Sequence, residues 1–166
     1  MKRRTALAGA ATALATAVAG CSSGGNNNDD EEPMELADNS AGEQTSQSLR
    51  LIVGEDLAGS EWQSVSTTYP RDRFTVQSAQ HEDIGLGIDT SGDGTADEEF
   101  DASAISGVNN NDFSFTIELD TSYTLAEGDT VLVEYPAVEN PSDSGEYEVE
   151  ISVNEVQTAT ATITIE

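Results

Sequence analysis

Cysteine occurs once in these 166 residues, at Cys21, and histidine once, at His81. A single cysteine excludes any intramolecular disulfide. One imidazole cannot build a blue-copper centre, which takes two histidines and a thiolate. His81, followed by Glu82 and Asp83 in a turn-like run, reads as a solvated loop residue and does not point to a Ser–His–Asp arrangement. Lysine is confined to Lys2. Long apolar runs are missing too: residues 5–20 are uncharged but rich in Ala and Thr, and a spanning helix needs about 20 strongly apolar residues. No segment carries a helical period. The one near-match to a glycosylation sequon, Asn140-Pro141-Ser142, has proline in the forbidden middle position.

What is abundant is negative charge. The chain has 32 acidic residues, none before Cys21, against six basic ones. Beyond Lys2, Arg3 and Arg4 only Arg50, Arg71 and Arg73 remain, so the chain from Cys21 onward carries a net charge of about −29. At 0.1 M salt the screening length is about 10 Å and this self-repulsion opposes compaction; near 1 M it falls to about 3 Å. An acidic, lysine-free surface suits concentrated brine, and nucleic acid is excluded as a partner. With carboxylates everywhere, a catalytic pair for glycoside hydrolysis has no distinguishing mark in the sequence.

The beginning of the chain reads as an export signal. Lys2, Arg3 and Arg4 form a basic region, residues 5–20 an uncharged one, and small residues stand immediately before Cys21. Val18-Ala19-Gly20-Cys21 resembles the lipobox of prokaryotic lipoproteins. Arg3-Arg4-Thr5-Ala6-Leu7 resembles the twin-arginine consensus, with Ala6 in place of the usual bulky residue. Together with the acidic composition, the chain resembles exported lipoproteins of halophilic archaea. The resemblance implies a signal peptide at 1–20, lipid on Cys21, and residence on the extracellular face of the membrane, which is then a partner through that lipid.

Residues 21–48 are of low complexity, with only Met34 and Leu36 as larger apolar groups, and are expected to form a disordered acidic tether. From Leu49 the pattern changes to period two: Leu49, Leu51, Val53; Phe113, Phe115, Ile117, Leu119; Val131, Val133; Tyr147, Val149, Ile151, Val153; Ala159, Ala161, Ile163, Ile165. Weaker strands are expected over 62–69, 74–78, 84–88 and 100–105. Turn residues separate them at 58–60, 91–94, 109–111, 127–129 and 140–142. Eight or nine short strands over 49–166 predict an all-β, antiparallel sandwich. Asp143-Ser144-Gly145-Glu146-Tyr147 resembles the approach to strand F of immunoglobulin-like domains, where the tyrosine hydroxyl bonds back to nearby backbone. Val149 then stands where antibody domains place a cysteine. Trp62 lies too far upstream to be their core tryptophan, so the resemblance covers the last two strands.

One stretch has the chemistry of a metal site. In residues 89–99, oxygen-bearing side chains recur at Asp89, Ser91, Asp93 and Asp97, with Gly94 at the bend and the Thr95 carbonyl available. This resembles the first nine positions of EF-hand and dockerin calcium loops, since calcium takes six to eight oxygens. It departs at the twelfth position, Phe100, so Glu99 or Asp101 would have to supply the last ligand, and strands flank it instead of helices. The alternative is a Gly- and Asp-rich hairpin turn. The function these features predict is a lipid-anchored, non-catalytic binding or structural module of the cell envelope, acting beside another envelope protein or a surface polymer. The alternatives are a carboxylate-dependent cell-surface hydrolase and a solute-binding lipoprotein.

Overall fold

The computed structural model describes residues 32–166; Arg3, Arg4 and Cys21 lie outside them. Eleven strands are formed, β1 (Met34–Leu36), β2 (Gln44–Ile52), β3 (Ser64–Thr68), β4 (Thr75–Val76), β5 (Gly85–Asp89), β6 (Glu98–Phe100), β7 (Ile105–Asn111), β8 (Ser114–Leu119), β9 (Thr130–Glu139), β10 (Gly145–Val153) and β11 (Gln157–Ile165). One sheet runs β1-β2-β9-β5-β6, with β4 also paired to β9; the other runs β11-β10-β3-β8-β7. Every named pairing is antiparallel.

The strand order itself makes this an immunoglobulin-like sandwich. In chain order β1, β2, β3, β5, β9, β10 and β11 take the places of strands A to G, giving A-B-E-D on one sheet and G-F-C on the other. The β7–β8 hairpin extends the second sheet beyond strand C. Residues 39–41 cross between the sheets: Glu166 N–H donates to the Asn39 carbonyl at 2.9 Å, and Ala41 N–H to the Glu166 carbonyl at 2.9 Å. The Tyr147 hydroxyl donates to the Asp143 carbonyl at 2.8 Å, closing the corner expected at the start of β10.

The core is where the period-two positions of both sheets meet. Leu49, Leu51, Val131, Val133 and Tyr135 from one sheet share a single cluster with Phe115, Ile117, Val149, Ile151, Ala161 and Ile163 from the other. Phe115 and Tyr135 stack across it with ring centres 4.0 Å apart. Trp62, two residues before β3, is fully buried with its ring edge-on to Phe100 at 5.4 Å. It is a core tryptophan at the start of the C-type strand, and the immunoglobulin resemblance extends over the whole sandwich.

Three expectations are corrected. The sandwich starts upstream of Leu49: Met34 is buried, and Thr45 and Gln47 point inward from β2 at 4 % and 0 % exposure. Their polar character hid a strand that β9 pairs almost end to end. Residues 109–111 are the end of β7, opposite Thr116, Phe115 and Ser114, and not a turn. Residues 100–105 are not one strand, because the Asp101 carboxylate accepts from Ser103 N–H and starts a short 3-10 turn between β6 and β7. Pro136 sits inside β9, where two of its residues stand against Ser46 alone; this bulge is where a strand tolerates the missing N–H. Among the described residues, no helix is long and apolar enough to cross a membrane.

Candidate functional site

The 89–99 stretch forms the β5–β6 connection and folds back over the outer face of the first sheet. The fold-back is sterically specific. A side chain on Gly87 would put its Cβ 2.6 Å from that of Ala96, so the turn lies flat only because β5 has glycine there. Gly94 adopts φ +83°, and a Cβ on it would lie 3.3 Å from Arg50 Nη1, so the Arg50 guanidinium from β2 packs against the tip of the turn. Beneath it is an open hollow of about 210 Å³, bordered by Arg50, Glu99 and Glu134 around the bare backbone of Gly85 and Gly87.

Within the turn, Asp89 and Asp97 face inward towards N–H groups. Asp89, 1 % exposed, accepts from Ser91 N–H (2.9 Å), Ser91 Oγ (3.1 Å), Gly92 N–H (2.6 Å) and Gly94 N–H (2.7 Å). Asp97 accepts from Thr90 N–H (2.8 Å), Thr90 Oγ1 (2.9 Å) and Ser91 N–H (3.0 Å). Asp93 turns to Thr95 N–H at 2.9 Å. Burial pushes the Asp89 carboxyl up, but the bonds from Gly94, Gly92 and Ser91 together outweigh it and hold it below the usual carboxylate range. Asp97 is lowered chiefly by the backbone donor of Thr90.

The structure therefore brings Asp89, Ser91 and Asp97 together and ties Asp93 to Thr95, but around amide donors. A hard cation wants its oxygens free and converging. In this conformation Asp89 and Asp97 together accept seven hydrogen bonds, three on Asp89 Oδ1, one on Asp89 Oδ2 and three on Asp97 Oδ2. Among the described residues, no group of three or more His, Cys, Asp or Glu side chains is placed to hold a metal ion. Of the two residues named for the last ligand position, Asp101 caps the 3-10 turn and Glu99 borders the Arg50 hollow.

The second buried acid was missed in the sequence. Asp129, 6 % exposed, accepts from Ala126 N–H (2.9 Å) and from the Tyr123 hydroxyl (3.0 Å), closing the turn before β9. Burial, that hydrogen bond and the charges of Asp129, Glu98 and Asp97 push the Tyr123 hydroxyl up to about 12, so it stays a donor. Among the described residues, Asp89 and Asp129 are the buried carboxylates, and each closes a turn. A hollow of about 410 Å³ beside Tyr123 is bordered by Glu98 and Asp120, both exposed. His81 is exposed in a 3-10 turn, in a shallow depression with Ala79, Gln80, Glu82, Ala102 and Val108, which include no serine, threonine or cysteine.

No family model and no curated protein matches this chain. Several solved structures are similar to it in overall shape. BslA, a bacterial hydrophobin, is 16 % identical, with 80 % of this chain and 94 % of that one covered and a TM-score of 0.45. An immunoglobulin-like protein from Nocardia farcinica is 12 % identical over 81 % and 96 %, with a TM-score of 0.43. The group B streptococcus pilus 2b backbone protein is 11 % identical over 81 % of this chain and 56 % of its own, with a TM-score of 0.47.

Proposed function

We propose that this chain is a non-catalytic binding or structural module of the cell envelope, exported through Arg3 and Arg4 and held outside the membrane by lipid on Cys21, in a salt-rich setting. The observation that carries the non-catalytic part is the use made of the buried acids. Acid–base catalysis by carboxylates works through groups whose environments push them apart in proton affinity, typically a desolvated acid beside an ionised one. Here the two desolvated carboxylates are taken up by backbone donors at turns, and one of them is lowered instead of raised. The surface supports a polar mode of contact. Ile52 and Val156 are the large hydrophobics exposed among the described residues, so no broad apolar patch is on offer.

The anchor is tested in cells. Cys21→Ser is expected to abolish lipid labelling and to move the protein from the membrane fraction to the medium, and R3K/R4K to reduce export. Unchanged lipid labelling in the serine variant would overturn the anchor, and unchanged export in the lysine pair would redirect the protein to the general secretory route.

A further inference from the structure

Besides the two-residue β4, the two sheets have four edge strands, β1, β6, β7 and β11, and three of them carry the devices that stop edges from pairing with other chains. An unblunted edge strand is a template for further strand addition unless it is short, charged, bulged or covered. β1 and β6 are three residues long, and β6 contains Glu98 and Glu99. β7 has a bulge between Ile105 and Gly107, and the chain from Val76 at the end of β4 to Ser78 lies along it: Asn110 Nδ2 donates to the Val76 carbonyl, Ser78 Oγ to Asn110 Oδ1, and Val76 N–H to the Asp112 carbonyl. β11 has none of these. Its nine residues, Gln-Thr-Ala-Thr-Ala-Thr-Ile-Thr-Ile, hold no charge, glycine or proline, and pair with β10 without a register shift.

The far side of β11 is held only at its ends. Gln157 clamps to Gly54 N–H and the Ile52 carbonyl, and Glu166 meets residues 39–41. Between them, residues 158–164 bond to no backbone but that of β10 among the described residues. β1 pairs with β2 and leaves an open groove of about 570 Å³ between Glu32, Met34, Glu35 and Leu36 on one side and Thr162, Ile163 and Thr164 on the other.

We propose that this edge joins two copies of the chain, β11 against β11 in antiparallel register, so that the second sheet runs continuously through a two-fold dimer. The segment is self-complementary, as a two-fold interface requires. Turned about Ala161, residues 158–164 set Thr158 and Thr160 opposite the partner copy's threonines on the outer face, and threonine pairs across strands are favourable. On the outer face, charge permits this edge. Identical copies, each with a net charge of −26, approach best where their carboxylates stay apart. The nearest row on the outer face, Glu146, Glu148 and Glu150, stands one strand back on β10. With strands about 4.8 Å apart, the two glutamate rows of the dimer lie three spacings, about 14 Å, from each other. That exceeds the screening length of about 10 Å at 0.1 M salt.

Sedimentation velocity on the full chain, under reductant to silence Cys21 and at about 2 M sodium chloride, tests this. A monomer–dimer equilibrium that shifts with concentration is expected. In T160K/T162K each lysine faces Glu150 or Glu148 within its own monomer and another lysine across the dimer axis. The thermal midpoint should therefore hold while the dimer weakens about tenfold or more. Mixing that variant with T160E/T162E should restore a dimer as a heterodimer. A wild-type chain that stays monomeric up to millimolar concentration would overturn the proposal, as would a lysine variant that dimerises like wild type. Slow amide exchange over 158–164 in a monomer would instead assign the edge to a segment of the same chain.

Discussion

Asp89 shows how one side chain organises an oxygen-rich turn. Its carboxylate is aimed at three backbone N–H groups of the following five residues, and those bonds form only with the ionised acid at full strength. Because its folded pKa lies below the unfolded value of about 3.9, its stabilisation is complete above that value and is lost as pH falls through the folded one. Asp89→Asn keeps the shape but sets an NH2 group against an N–H donor at Gly94 or Gly92. The variant should lose about 1.5–3 kcal/mol at pH 6, the worth of a charge-assisted hydrogen bond. Its urea midpoint should also fall less between pH 6 and pH 3 than that of the wild type, with repulsion suppressed at high salt. Superimposable acid limbs would mean that Asp89 does not anchor the turn. Calcium at fixed ionic strength addresses the other use of these oxygens. A rise in midpoint seen in the wild type but lost in D89A/D93A would mean that the turn opens to ligate the ion, whereas equal rises would be screening. Residues also mark where the sequence was opaque. Gln47 is fully buried, accepts from the Tyr69 hydroxyl across the core, and leaves its Nε2 without a partner among the described residues. A hydropathy pattern counts such a position as surface.

At the level of elements, legibility followed the chemistry of the inward face. β8, β10 and β11 alternate Val, Ile, Leu, Phe, Tyr or Ala inward with Thr, Ser or Glu outward, and period two revealed them. The first half of β2 buries Thr45 and Gln47, and β7 ends in three asparagines that pair with β8 at a half-solvated edge, so neither carried the signal. The candidate turn was legible as a set of oxygens. Which way those oxygens face depends on the sheet beneath, through Gly87, Ala96 and Arg50, residues distant enough in the chain that no local motif contains them all. This dependence can be tested through the tightest contact. Gly87→Ala forces two Cβ atoms to within 2.6 Å, with the Glu98 carbonyl 3.2 Å away, and should destabilise by about 1–3 kcal/mol, the usual cost of overpacking. Adding Ala96→Gly removes the nearer of the two obstacles and should recover part of the loss in equilibrium denaturation. A Gly87→Ala chain of wild-type stability would show that the turn does not lie against β5.

The whole molecule is governed by a charge that its few cations do not offset. Arg73 pairs with Asp143 at 3.2 Å, but both groups are largely exposed, at 52 % and 73 %, where such a pair contributes little. Arg71 lies over the Phe113 ring at 4.0 Å, and Arg50 packs against the β5–β6 turn. On the outer face of β10, Glu146, Glu148 and Glu150 project every second residue, about 7 Å apart, opposite Thr164, Thr162 and Thr160 with no cation across the strand. Such rows repel within one screening length at 0.1 M salt, about 10 Å, and are nearly independent when that length shrinks to about 3 Å near 1 M. The thermal midpoint should therefore fall by about 10 °C or more between 2 M and 0.1 M sodium or potassium chloride, equivalent to roughly 3 kcal/mol for a domain of this size. Salt also strengthens apolar burial, and the two contributions separate by mutation. E146Q/E148Q/E150Q leaves the core untouched and removes three adjacent charges, so it should raise the midpoint at low salt and leave it nearly unchanged at high salt. If its salt slope matches that of the wild type, the dependence comes from the core and not from the acidic surface. A midpoint flat across the whole range would remove the case for a protein built for brine.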